Sequence, residues 1–286
     1  MDTTNPFKRL AAAVVILAMT VCALPALAGG RTLQIKGSDT MVNLMSNMAE
    51  GFMKAHPDIA VAVDGGGSGT GIAAMIDGTI DICSSSRSFK PDELEQAKGK
   101  SINPVGTIIG LDGISMMVNK SNTVTELTLD QLRQIYTSAV TNWRDLGGPD
   151  RTITVLSRES VSGTYAYFQE HVLKGAAYAA SATQLPSTAA ITKAVSDDPG
   201  AIGYGGIAYA EHAPVKTIKV RKTADSEAIP PTMETVLNAT YPISRPLYLY
   251  TNGTPSGDVK TFIDFCLSPD GQKIVNDTGY IRVESN

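Results

Sequence analysis

The chain has 286 residues, 43% hydrophobic and 18% charged, enough to bury one large core or two modest ones. Its 24 basic and 28 acidic residues give a net charge of −4 with no basic block, which argues against nucleic acid or an anionic membrane surface as partners. An acidic chain that captures an anion must do so through local geometry, because its overall field does not attract one.

Lys8 and Arg9, an apolar run over 10–24 and the small-x-small stretch Ala26-Leu27-Ala28 read as a cleavable secretory signal peptide over residues 1–28. The apolar run is shorter than the roughly 20 residues that span a bilayer. Met19-Thr20-Val21 does not offer the small residues expected before a lipidated Cys22. Beyond Gly30 the pattern predicts a strand over 32–36, then a helix over 41–55 with Met41, Leu44, Met45, Met48 and Phe52 at helical spacing. A strand over 59–63, a helix over 71–77, a strand over 80–83 and a helix over 91–98 follow. Next come a strand over 114–118, a helix over 129–135, a strand over 153–156 and a helix over 165–173. Such alternation implies an α/β fold with mainly parallel pairing. Cys83 and Cys266 lie in apolar stretches and read as buried free thiols.

In open α/β sheets ligands bind where strand ends hand over to helices, and the polar, glycine-rich motifs of this chain fall there. The first is Gly37-Ser38-Asp39-Thr40-Met41, the second Gly65-Gly66-Gly67-Ser68-Gly69-Thr70-Gly71, and the third runs from Arg158 to Ser162-Gly163-Thr164. The first N–H groups of a helix lack intrahelical partners, and hydroxyls beside them add rotatable donors. Glycine allows close backbone approach, and arginine supplies a planar fork for two oxygens. For one such turn, ordinary N-capping suffices as an explanation. Three in one chain, one with Arg158, point to a small tetrahedral anion. Ser84-Ser85-Ser86-Arg87 is a fourth candidate, with a surface salt bridge as the alternative for Arg87. No Gly-Lys-Ser/Thr directly follows the glycines of the second motif, no Gly-x-Ser-x-Gly elbow occurs, and His56, His171 and His212 stand apart without metal-ligand spacing. Trp143 and Tyr204 read as packing residues.

These motifs, with Asn142-Trp143 and Pro199-Gly200-Ala201-Ile202-Gly203-Tyr204, make the chain from Thr32 to its end resemble the periplasmic phosphate-binding proteins of phosphate ABC transporters. The resemblance implies a type II periplasmic-binding-protein fold: two α/β domains, each a mixed sheet flanked by helices, joined by a two-stranded hinge. Leu111–Met117 and Tyr241–Leu247 would carry the chain between them, giving domain one over 31–114 plus 244–286 and domain two over 115–243. It implies phosphate binding by Ser38, Thr40, the N–H of Met41, Ser68, Ser86, Arg158, Ser162, Gly163 and Thr164. Asp39, Thr70, Arg87 and Asp112 are further candidates. It also implies a periplasmic monomer, without cofactor, metal or catalysis, that serves the membrane permease of an ABC transporter. One position departs from the family pattern. Its well-known members carry an aspartate that accepts the proton of hydrogen phosphate where this chain has Ser86, which weakens the expected filter against sulfate; Asp39 or Asp112 could take its place. The alternatives are a receptor for sulfate, molybdate or tungstate, and a secreted enzyme acting on a phosphorylated substrate.

Overall fold

The computed structural model describes residues 31–283, so the expected leader over 1–28, with Cys22, lies outside the described residues. The chain begins β1 (Leu33–Gly37), a 3-10 turn (Asp39–Met41), α1 (Val42–Ala55), β2 (Val61–Asp64), α2 (Ser68–Ile76), β3 (Ile82–Ser85) and α3 (Pro91–Gly99). A long strand follows, β4 (Pro104–Val118). Then come β5 (Glu126–Thr128), α4 (Leu129–Tyr136), β6 (Thr154–Arg158), α5 (Gly163–His171), β7 (Thr183–Leu185), α6 (Thr188–Asp197) and β8 (Ala201–Gly206). The remainder is α7 (Ile207–Glu211), β9 (Lys216–Arg221), β10 (Ala228–Ile229), α8 (Met233–Leu237), β11 (Ser244–Asn252), α9 (Gly257–Leu267) and α10 (Pro269–Asp277).

The main sheet runs β2-β1-β3-β11-β4-β8-β6-β7 and is mixed rather than mainly parallel. β1 pairs in parallel with β2 and β3, and β6 with β7 and β8. The antiparallel pairs in this row are β11 with β3 and the two made by the long β4, which lies against β11 over 104–113 and against β8 over 114–118. β4 thus belongs to both halves of the sheet, and β11 returns beside it. No helix among the described residues is long and apolar enough to cross a membrane.

Each half has its own core, as expected when a sheet face must be covered by helices. In one, α1 buries Leu44, Met45, Met48 and Phe52, on a single helical face, in a cluster that includes Ile35, Leu249 and Phe262. In the other, Trp143, Tyr136, Phe168 and Tyr204 pack around β6 and β8, with Phe168 stacked on Tyr204 at 4.4 Å. Trp143 and Tyr204 are fully buried, and each finds a polar partner: Trp143 Nε1 donates to the Gly200 carbonyl at 2.8 Å, while the Tyr204 hydroxyl accepts from the Arg158 N–H at 3.3 Å. Tyr204 therefore also steadies the end of β6, where the third turn begins. Cys83 and Cys266 are free and buried, and burial pushes both thiol pKa values up.

Candidate functional site

Three strand-to-helix turns meet between the two halves of the sheet. The first follows β1, the second leads into α2, and the third joins β6 to α5. In the first, Ser38 and Thr40 are 2% and 1% exposed. In the second, Gly67 at φ +108° precedes Ser68, the first residue of α2, which is wholly buried. A side chain at residue 67 would be strained there and would strike the Val161 carbonyl of the third turn at 2.7 Å. In the third, Ser162 caps α5, its Oγ accepting from the Tyr165 N–H at 3.3 Å. The first N–H groups of α5, at Gly163 and Thr164, have no intrahelical acceptor.

The side chains form a closed ring. Ser38 Oγ donates to Ser86 Oγ at 3.0 Å, Ser86 Oγ lies 3.3 Å from Ser68 Oγ, and the Ser86 N–H donates to Ser68 Oγ at 3.1 Å. Gly163 backs directly onto this serine trio: a Cβ there would lie 2.3 Å from Ser68 Oγ and 2.7 Å from Ser86 Oγ. Thr164 Oγ1 is 2.8 Å from Thr40 Oγ1. Arg245 closes the ring, with Nη2 2.9 Å from Thr164 Oγ1 and 3.5 Å from Thr40 Oγ1, and Nη1 donating to the Ser86 carbonyl at 3.1 Å.

Two buried guanidiniums and two carboxylates balance the charge. Arg158 is 2% exposed. Its Nη1 meets Asp39 Oδ2 at 3.1 Å and Thr188 Oγ1 at 2.9 Å, and its Nη2 donates to the Pro186 carbonyl at 2.8 Å. Its Nε is buried without a partner. Burial pulls the Arg158 pKa below its ordinary value, with the Asp39 charge opposing. Arg245 pairs with Asp112, through Nη2 at 2.9 Å and Nε at 3.2 Å, and both side chains are fully buried. Burial pushes the Asp112 pKa up, and the Arg245 charge and hydrogen bonds pull it back. Asp112 Oδ1 has no hydrogen-bond partner.

Among the residues singled out from the sequence, the ring brings together Ser38, Thr40, Ser68, Ser86, Gly163 and Thr164, with Ser162 capping the helix behind them. Met41 sits differently: its N–H donates to the Ser38 carbonyl at 3.0 Å and is spent within the turn. Thr70 Oγ1 donates back to the Gly67 carbonyl at 2.8 Å, a local helix-start bond. Arg87 turns its fork onto Glu93 in two 2.7 Å bonds, so its ion pair belongs to the start of α3 and not to the ring. Asp39 is engaged across the gap. Its Oδ2 accepts from the Thr188 N–H at 3.0 Å and from Thr188 Oγ1 at 3.2 Å as well as facing Arg158, so it caps α6 from the other half of the sheet. Arg245 is the residue that sequence reasoning passed over, because it lies in the returning segment and carries no turn motif. Among the described residues no group of acidic, histidine and cysteine side chains is arranged to hold a metal ion.

A mixed sheet in two halves, spanned by paired long strands with a polar ring between, is the architecture of a two-domain binding protein. The chain matches the family model of a PBP superfamily domain over residues 25–270. It is 32% identical over 262 residues to the phosphate-binding protein PstS of Pseudomonas aeruginosa, covering 86% of this chain and 81% of that one. To PstS of Bacillus subtilis it is 34% identical over 253 residues, with coverages of 88% and 81%. Among solved structures it is similar to a Clostridium perfringens substrate-binding protein crystallised with bound phosphate (TM-score 0.80, 34% identity, 89% of this chain and 100% of that chain). It is also similar to an ABC-type phosphate transport receptor from Vibrio cholerae (TM-score 0.72, 30% identity, 88% and 100%). The chain belongs to the PBP superfamily and, within it, to the phosphate-binding proteins called PstS.

Proposed function

We propose that this protein captures inorganic phosphate outside the cytoplasm, in the cleft between its two domains, and hands it to the membrane permease of an ABC transporter. The observation that carries this reading is the ring itself, where hydroxyls and helix-start N–H groups from both halves of the sheet converge, with Arg158 tied to the first turn through Asp39. A tetrahedral oxyanion needs many donors from several directions, and Ser38, Thr40, Ser68, Ser86, Ser162, Gly163 and Thr164 supply them. The domains are 31–114 plus 244–286 and 115–243, with β4 and β11 as the hinge. Ligand touching both walls favours the closed arrangement, since a contact made in only one state shifts the balance towards that state. The protein works as a monomer exported by the signal peptide over 1–28, and its task is binding rather than catalysis.

The proton of hydrogen phosphate needs an acceptor. Asp39 is already committed to Arg158 and Thr188, and Asp112 directs one oxygen to Arg245. Ser86 Oγ stands inside the ring and accepts this proton as readily as it donates, so sulfate is excluded less strongly than by a carboxylate. Calorimetric titration of the purified protein with phosphate, sulfate and molybdate tests the reading. Phosphate binds most tightly on this account, with sulfate competing at higher concentration. Heat from molybdate or sulfate with none from phosphate would assign the cleft to another oxyanion.

A further inference from the structure

Arg245 stands at an unusual place in the fold. It lies on β11 directly opposite Asp112 on β4, so the two strands that link the halves of the sheet are pinned by one buried ion pair. The guanidinium is held on several sides: Asp112 Oδ2 accepts from Nε and Nη2, the Ser86 carbonyl accepts from Nη1, and the Tyr167 ring lies 5.7 Å from Cζ. Nη2 carries a second hydrogen, and this one is aimed at the hydroxyls of Thr164 and Thr40.

Arginine N–H groups donate and never accept. A threonine oxygen that takes such a bond must turn its own O–H elsewhere. A hydroxyl already accepting from a cation is also a stronger donor, because consecutive hydrogen bonds polarise one another. We propose that Arg245 is a positioning residue for the anion site: it anchors the hydrogen-bonded pair Thr164 and Thr40, leaves the O–H that the pair does not spend on itself as the donor, and transmits its charge to the bound oxyanion through that hydroxyl. Asp112 holds the fork in the plane this requires and keeps the buried cation paired. The inference rests on the phosphate reading of the same cleft and adds a residue to it. The two threonines come from opposite halves of the sheet, so a single guanidinium on the hinge holds a hydroxyl pair that spans both walls.

The test is a double-mutant cycle read by calorimetry with inorganic phosphate. Arg245→Lys keeps a charge opposite Asp112 but cannot reach Asp112, the Ser86 carbonyl and the threonines together. It should weaken phosphate binding by about 10- to 100-fold, the worth of a hydrogen bond to a charged group. In a Thr164→Val background the same change should cost several-fold less, because the 2.9 Å leg of the relay is cut and only the 3.5 Å approach to Thr40 remains. A residue that serves only as a hinge strut would give the same loss in both backgrounds, and that result overturns the inference. Thermal melting checks the fold. If Arg245→Lys melts early, the charge-neutral pair Arg245→Gln with Asp112→Asn replaces it in the cycle. An unaltered protein that binds phosphate, with an Arg245 variant that binds it equally well, overturns this inference alone. An unaltered protein that does not bind phosphate overturns the receptor reading and this inference together.

Discussion

Gly163→Ala adds one methyl group at the seam between the two halves of the sheet. The new Cβ would sit 2.3 Å from Ser68 Oγ, 2.7 Å from Ser86 Oγ and 2.9 Å from Ser68 Cβ. That is about 1 Å short of ordinary contact, so the third turn must draw back from the serine trio. Overpacking of this kind costs about 1–3 kcal/mol. Here the strain falls on closure rather than on either core, because Ser68 and Ser86 lie across the cleft from Gly163. Phosphate affinity should therefore drop about 5- to 150-fold while thermal stability without ligand stays near that of the unaltered protein. Calorimetry gives the affinity, and small-angle scattering with saturating phosphate should show a less compact particle than the unaltered complex. Gly99→Ala is the control: a Cβ there meets nothing within 4 Å. If Gly163→Ala binds phosphate within about twofold of the unaltered protein, the walls do not meet at this glycine in the bound form and the reasoning fails.

Arg158→Lys should weaken phosphate binding by about 2–5 kcal/mol, since an ammonium cannot serve Asp39, Thr188, the Pro186 carbonyl and an anion together; unchanged affinity by calorimetry would remove Arg158 from the site. Asp39→Asn keeps the shape of the α6 cap but loses its charge, so phosphate and sulfate affinities should fall together with their ratio preserved. A shift of that ratio in favour of sulfate would instead make Asp39 the proton acceptor. Ser86→Asp should raise the phosphate-to-sulfate ratio in competition titrations by repelling the unprotonated anion. Burial pushes the Glu93 pKa up, but the Arg87 hydrogen bonds and charge, with the Lys90 N–H, outweigh it and hold the carboxyl below its ordinary 4.5. A depressed carboxyl contributes stability above its unfolded pKa and loses it as pH falls through the folded value. Denaturant melts should therefore find Glu93→Gln less stable than the unaltered protein at pH 7, with the gap closing below pH 4.5.

The three turns were legible because their signal is local. A strand end, a glycine, a hydroxyl residue and the start of a helical run all fall close together in sequence. Ser86 was visible for the same reason, at the end of β3. Arg87 and Arg158 looked alike by this measure, each beside serines after a strand. What separates them is Glu93, six residues on in the first turn of α3, which claims the Arg87 fork, so the salt-bridge alternative holds for Arg87, buried rather than at the surface. Asp39 stands out in the sequence as a candidate acceptor in the first turn, but its part in capping α6 depends on Thr188, 149 residues away. Arg245 was beyond reach, because its role comes from the strand register that sets it against Asp112 across 133 residues. The long β4 was read only over its apolar 114–118 end, since Gly106, Gly110 and Gly113 dilute the strand signal over the part that pairs with β11. Missing that antiparallel ladder is why the sheet was expected to be mainly parallel.

The position of β11 between β3 and β4 has a consequence for how the molecule is made. Strands adjacent in space are usually near in sequence, but here the central rung of one half arrives last, after everything from β4 to α8 has been synthesised. Until residues 244–252 emerge, β3 and the first part of β4 each carry an unpaired edge, the kind of surface on which chains stick to one another. Assembly of that half must await a pairing whose loop spans more than a hundred residues, and such non-local closure is slow. A chain truncated before Ser244 would retain both exposed edges permanently, so its fate should be aggregation or proteolysis rather than a partly working receptor.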